Sequence, residues 1–262
     1  MDLMKQFKKD QLKVQIYRDR RSMGKAAAED VANQMNLLLE QKPFINVVFA
    51  AAPSQNELLE ELCTKKVDWK RVNAFHMDEY IGLEKDAPQS FAFYLKEHIF
   101  DRVPFHKVYY ISEYKDQYVS LIQSNPIDLI CMGIGENGHI AFNDPGVADF
   151  CDSKLIKEVQ LDQVCRQQQV NDGCFPSLEQ VPQSAFTLTV PALFGADHLF
   201  CVVPAATKRN AVTRTVHDPI NEECPATILR RHKHATLYCD ADSGADLLQE
   251  REECHDSNCA AL

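Results

Sequence analysis

Apolar and polar positions alternate between two periods along this chain. Ser22 to Glu40 places Met23, Ala27, Val31, Met35 and Leu38 on one stripe, which predicts an amphipathic helix that Pro43 stops. Phe44 to Ala50, apolar except for Asn46, is read as a buried strand. Ala51-Ala52-Pro53-Ser54 follows as a loop, with Ser54 expected to cap a helix over Gln55 to Lys65. The same rhythm then repeats. Strands are expected at Val72–Met77, Val108–Ile111, Ile127–Met132, Phe186–Val190, His198–Val203 and Ala235–Cys239. Helices are expected at Pro88–Phe100, Glu113–Gln123, Ala205–His217 and Pro225–Arg231. Lys154 to Leu161 alternates like an edge strand, whereas the Gln-rich stretch Cys165 to Phe175 stays unassigned. Strands alternating with helices predict an α/β fold, an open and mostly parallel Rossmann-like sheet with helices on both faces. No repeat or linker interrupts the pattern, so one domain over 1–262 is expected, with an acidic tail from about 248 expected to be disordered.

The period breaks after Met132. Gly133, Gly135 and Gly138 make a loop able to take positive φ and to bring backbone against a ligand. Within it lie Glu136, Asn137, His139, Asn143 and Asp144. A polar cluster at the carboxyl end of a buried strand is where open α/β sheets bind ligands. Gly133 to Gly138 also spells the dinucleotide fingerprint G-x-G-x-x-G, but Pro145-Gly146 would end the helix that the fingerprint needs. A nicotinamide cofactor is therefore excluded. Asp78-Glu79-Tyr80 follows another strand, and in a parallel sheet both strand ends open on one crevice. A carboxylate opposite a histidine suits proton transfer. Metal binding by His76, Asp78, Glu79, His139 and Asp144 ranks lower, because no pair has helical ligand spacing.

A net charge of −10 argues against nucleic acid and anionic membranes as partners, though not against a small anion held by local cations. The amino terminus lacks the apolar core of a signal peptide, and no run reaches membrane-spanning length. Ten cysteines without an export signal fit a reducing, cytoplasmic setting, with Cys131, Cys201 and Cys239 read as small core residues. Cys254-His255 with Cys259 is a weak metal candidate, and Cys259 to Leu262 matches a prenylation box without its basic support. Trp69 and the Arg230–His234 cluster read as surface features.

Three segments together resemble one family. They are Phe75-His76-Met77-Asp78-Glu79-Tyr80-Ile81-Gly82-Leu83, Ala87-Pro88-Gln89-Ser90-Phe91, and Gly133 to Pro145. In this order and spacing they resemble the glucosamine-6-phosphate deaminase (isomerase) family, from about Ser22 to the strand at Ala235. The sister branch, 6-phosphogluconolactonase, shares the glycine-histidine core but lacks Met-Asp-Glu-Tyr. The resemblance implies metal-free aldose–ketose isomerisation and deamination of a phosphorylated amino sugar, with no cofactor. It implies that Asp78 moves a proton between C1 and C2, and that His139 assists ring opening, oriented by Asp144. Asn137 stands where the family often has a carboxylate. Ala51, Ala52, Ser54, Glu79, Gly135 and Gly138 are expected to line the substrate. The phosphate loop has lost its glycines, and the family's phosphate-binding arginine falls at Asn171. Arg166 lies nearby, and Lys208 matches the family's later basic residue. The competing expectations are a sugar lactonase, with His139 activating water, and a catalytically weak sugar-phosphate sensor. A homo-oligomer is compatible with all three.

Overall fold

The computed structural model describes residues 2–84, 87–114 and 117–250. The tail candidates Cys254, His255 and Cys259, and the prenylation box, lie outside the described residues.

The larger sheet has eight strands: β1 (Leu3–Lys9), β2 (Leu12–Tyr17), β3 (Ile45–Phe49), β4 (Val72–His76), β6 (Lys107–Tyr109), β7 (Leu129–Met132), β10 (His198–Val203) and β11 (Ala235–Cys239). Their spatial order is β1-β2-β11-β10-β7-β3-β4-β6, and every pairing except β1–β2 is parallel. Alternate side chains of one strand enter opposite cores. Val47 and Phe49 pack with the helix Arg20–Gln41 (α1) on one face, and Val48 and Ala50 pack on the other. Leu129 and Cys131 divide in the same way from Ile130 and Met132. Burial on both faces explains why these strands read as nearly continuous apolar runs. The cysteines expected in the core are there, and burial pushes the Cys131 and Cys239 thiols up to about 12.

Four features depart from the sequence expectations. The amino terminus forms the β1–β2 hairpin, turning at Asp10 with φ 51°. Its lysine-rich strand β1 closes the sheet edge, where charge protects against edge pairing and conceals the strand pattern. Second, β4 ends at His76 and the chain enters a separate antiparallel sheet. There β5 (Asp78–Tyr80) pairs with β9 (Ser184–Leu188), which in turn pairs with β8 (Ile156–Gln160). Third, the unassigned Gln-rich stretch is a helix, Gln163–Asn171, capped by Asp162 Oδ1 accepting from the Cys165 N–H at 2.5 Å. Fourth, Trp69 is buried edge-on against Phe105, and Arg230 is buried with its Nη1 and Nη2 groups donating to the carbonyls of Val216 and Asp218, both at 2.6 Å. Neither is a surface feature.

From β3 the chain steps outward through β4 and β6, then returns to place β7 on the other side of β3. That reversal opens a crevice at the carboxyl ends of β3 and β7. Helix α1 flanks it. Asp19 caps α1 by accepting from the Ser22 N–H at 2.7 Å, so the helix begins before the expected Ser22. It packs on the helix Asn56–Leu62 (α2), and a Cβ at Gly24 would meet Glu57 Cβ at 2.4 Å.

Glycine in mid-helix is ordinarily a liability, and replacement by alanine gains up to about 1 kcal/mol. Here contact with α2 reverses the sign. Gly24→Ala is expected to lower stability by about 1–3 kcal/mol, the range for overpacking. Chemical denaturation reads this directly, and a stabilised variant would show that the two helices do not meet at Gly24.

Candidate active site

Four loops meet at the crevice: Ala50–Ser54 after β3, Met77-Asp78 after β4, Gly133–Phe142 after β7, and Pro204–Lys208 after β10. With residues from α1 and from the helix Gln163–Asn171 they line a cleft that is open at the mouth.

His139 is held from both sides. Its Nδ1 lies 2.8 Å from Asn137 Oδ1 and 2.9 Å from Asp144 Oδ1, while Asn137 Nδ2 donates to Asp144 Oδ1 at 2.9 Å. Both neighbours of Nδ1 are acceptors, so Nδ1 carries the proton and Nε2 is left as the basic nitrogen. Burial would raise the Asp144 carboxyl, but the hydrogen bonds and charge of His139, with Asn137, hold it below its ordinary value. A Cβ at Gly135 would lie 2.0–2.3 Å from ring atoms of His139, so glycine alone lets the imidazole lie against this backbone. Gly138, at φ 90°, supports the loop from behind, where a Cβ would meet Cys224 Sγ at 2.5 Å. It does not line the cleft.

Asp78 opens β5 and faces the cleft from a buried position. Burial first, and then the neighbouring charge of Glu79, raise its carboxyl well above the ordinary 3.8. A carboxyl raised in this way exchanges protons closer to neutral pH. His76 is a brace. Its Nε2 accepts from the Ile111 N–H at 2.8 Å and its Nδ1 lies 2.9 Å from the Asp78 carbonyl. Burial pulls its pKa down to about 4, leaving a neutral imidazole.

Lys208 lines the opposite side of the cleft. Its Nζ is buried with no hydrogen-bond partner among the described residues, and burial lowers its pKa against the pull of Asp172 and Glu136. Ala51, Ala52 and Ser54 also line the cleft. Ser54 does not cap α2. Its Oγ accepts from Gln55 Nε2 at 3.1 Å instead. Ala141 and Ala205, both facing the cleft, hold φ 48° and 81°, a left-handed strain in non-glycine residues that clusters at functional sites.

Three expected contacts are elsewhere. Glu79 accepts the N–H groups of Tyr80, Phe91 and Ala92 at 2.9–3.0 Å, so its carboxylate anchors the start of the helix Phe91–Leu95. Arg166 donates through Nη2 to the carbonyls of Leu178 and Val181 at 2.6 and 2.9 Å. Asn171 accepts from Gln167 Nε2 at 3.1 Å. None of the three lines the cleft, where Gln168, Gln169 and Asp172 stand instead. The sequence reading also missed Arg20, which lines the cleft from the first turn of α1. Only the capping Asp19 before it could have drawn the helix back that far.

Spacing alone also hides one potential ligand group. His139, Asp144 and Cys165 offer donor atoms within 4.8 Å of one another. A thiolate, imidazole and carboxylate set suits a zinc-like ion, but here His139 Nδ1 is already bonded to Asn137 and Asp144.

The open α/β sheet brings Asp78, His139 and Lys208 to one cleft at its switch point, and comparison with known proteins places the chain. The sequence model for glucosamine-6-phosphate isomerases/6-phosphogluconolactonase matches residues 18–238, and the chain belongs to this family of enzymes. A glucosamine-6-phosphate deaminase of Lactobacillus johnsonii is 32% identical over 205 residues, covering 76% of this chain and 84% of the relative. One from Exiguobacterium sibiricum is 31% identical over 235 residues, covering 85% and 91%. Among solved structures, a monomeric glucosamine-6-phosphate deaminase superposes with a TM-score of 0.78 at 24% identity, covering 88% of this chain and 98% of that one. The 6-phosphogluconolactonase of Thermotoga maritima gives 0.69 at 23%, covering 87% and 99%. These two likenesses establish the shared fold. No helix of the described residues is long and apolar enough to cross a membrane.

The state of Asp78 makes stability pH-dependent. Above 3.8 the unfolded chain gives up this proton while the folded protein keeps it, so wild-type stability falls as pH rises until the raised folded value is passed. Asparagine carries no such penalty. Asp78→Asn is expected to be at least as stable as wild type at neutral pH, with an advantage that grows from 3.8 upward. Thermal melts across pH test this. A constant deficit in the variant would contradict the assignment.

Proposed function

We propose that this enzyme converts glucosamine 6-phosphate, or a closely related amino-sugar phosphate, to the ketose phosphate and ammonia. The observation that carries the reading is the placement of Asp78, His139 and Lys208 on one cleft. His139, with Nδ1 protonated and engaged by Asn137 and Asp144, presents Nε2 as the base that takes the C1 hydroxyl proton and passes it to the ring oxygen as the C1–O5 bond breaks. Asp78 then takes the proton from C2 of the open-chain sugar and returns it to C1, while the amine gives up one proton and O1 gains one. The resulting C2 imine is hydrolysed by one water, which leaves a ketone and releases ammonia. Overall, sugar and water give ketose phosphate and ammonia, with no oxidant consumed. Lys208, buried and without a hydrogen-bond partner of its own among the described residues, supplies a cation for the substrate's phosphate. Asn137 gives hydrogen-bond orientation where a carboxylate would also give charge. The imidazolium formed in ring opening therefore has the Asp144 carboxylate against Nδ1 and no second carboxylate at position 137.

Purified protein supplied with glucosamine 6-phosphate should release ammonia and ketose phosphate in equal amounts. Asp78→Asn should lower kcat by about a hundredfold or more, the range for loss of a general base. Hydrolysis of 6-phosphogluconolactone without ammonia release would make the protein a lactonase. Saturable binding without turnover of either compound would make it a sensor. Full ammonia release by the Asp78→Asn protein would remove Asp78 from the mechanism.

A further inference from the structure

The anion end of the cleft is short of donors. Pro53 has no N–H, Ala51 and Ala52 bring no side-chain donor, and Arg166 and Asn171 turn elsewhere. A phosphate needs several donors, and the side chains of Ser54, Thr207 and Lys208 bring only one cation among them. Among the described residues, the cation on the cleft's lining besides Lys208 is Arg20, on the first turn of α1.

We propose that Arg20 is a specificity-determining residue that holds the substrate's anionic group together with Lys208. The inference rests on the function proposed above and assigns the phosphate contact that the loop and Asn171 do not supply.

The guanidinium is already positioned. Arg20 Nε donates to Glu57 Oε1 at 2.9 Å, and Nη2 donates to Glu57 Oε2 at 3.0 Å and to the Pro53 carbonyl at 2.8 Å. This fork fixes the plane of the group and leaves Nη1, with its two N–H donors, uncommitted among the described residues. The fork forms because Gly24, one helical turn after Arg20, lets Glu57 come against α1, where a Cβ would sit 2.4 Å from Glu57 Cβ. The Pro53 carbonyl ties the same guanidinium to the loop whose own donors are missing. A pre-positioned fork loses little freedom when it binds an anion, which favours affinity. Glu57 also offsets the charge of Arg20, so Arg20 acts chiefly as a directed donor and Lys208 as the uncompensated cation.

The test measures binding of inorganic phosphate by calorimetry to the full chain, wild type, Arg20→Ala and Lys208→Ala, alongside steady-state ammonia release from glucosamine 6-phosphate. Losing one charged hydrogen-bonding group is expected to weaken phosphate binding about tenfold to a hundredfold in Arg20→Ala. KM for the phosphorylated sugar should rise by the same factor with kcat changed only a few-fold. Binding of unphosphorylated glucosamine should not change. Arg20→Lys and Arg20→Gln, both long enough to keep a contact with Glu57, repeat the comparison if the alanine variant fails to fold. Neither is expected to restore the phosphate affinity fully. Wild-type phosphate affinity and KM in any folded Arg20 variant overturn the inference, as does a wild-type protein that binds no phosphate. The function reading fails separately. A wild-type protein that binds phosphate through Arg20 but releases no ammonia leaves this assignment standing and removes the deaminase.

Discussion

Two ionisable groups, Asp78 and Lys208, are kept in the crevice away from water and, among the described residues, without a partner of opposite charge in hydrogen-bond contact. Taking such groups out of water is unfavourable, and folded proteins ordinarily pair them or keep them solvated. The fold sustains the arrangement because both groups sit on loops whose strands are buried on both faces and cannot shift to relieve it. The chain reversal between β3 and β7 makes those loops converge. A ligand with an acidic carbon-bound proton at one end and an anion at the other would supply what each group lacks.

The rest of the cleft follows from this constraint. β4 stops at His76, whose neutral ring bonds the Asp78 carbonyl and the Ile111 N–H, so the strand end that aims Asp78 is fixed by a group that does not titrate near neutral pH. On the facing loop, Asn137 and Asp144 share the His139 Nδ1 proton, and Gly135 lets the ring lie against the backbone. Ala141 and Ala205 accept left-handed backbone conformations in these loops, and Asp240 Oδ2 secures the latter by accepting the Ala205 N–H at 3.0 Å. Strain of this kind persists only where surrounding contacts over-determine it.

Much of this architecture was legible in the sequence. Continuous apolar runs announced the parallel core, and the Gly-rich loop after Met132 announced the cleft with Asp78 and His139 across it. What stayed hidden has physical reasons. Strand β1 carries lysines because it is an edge, and that removes the apolar alternation by which strands are recognised. The helix Gln163–Asn171 covers its core with Cys165, Gln168 and Gln169, so no apolar stripe marks it. Glu79 and Arg166 look like site residues by type and position, yet each is consumed by backbone groups of its own neighbourhood. Arg20 had no local signal beyond the capping Asp19 before it. Its place in the cleft depends on Gly24 and Glu57, one on the same helix and the other on a different one, and such a contact has no sequence signature.

The central claim is that one ligand satisfies both unpartnered groups at once. A crystal structure of the protein with glucosamine 6-phosphate or its ketose product bound tests it most directly. The account predicts a phosphate oxygen within hydrogen-bonding distance, about 2.7–3.2 Å, of Lys208 Nζ. In the same molecule C1 and C2 should lie against the Asp78 carboxyl, with the ring oxygen end toward His139. A sugar bound in the reverse sense, or with Lys208 still unpartnered, would contradict it.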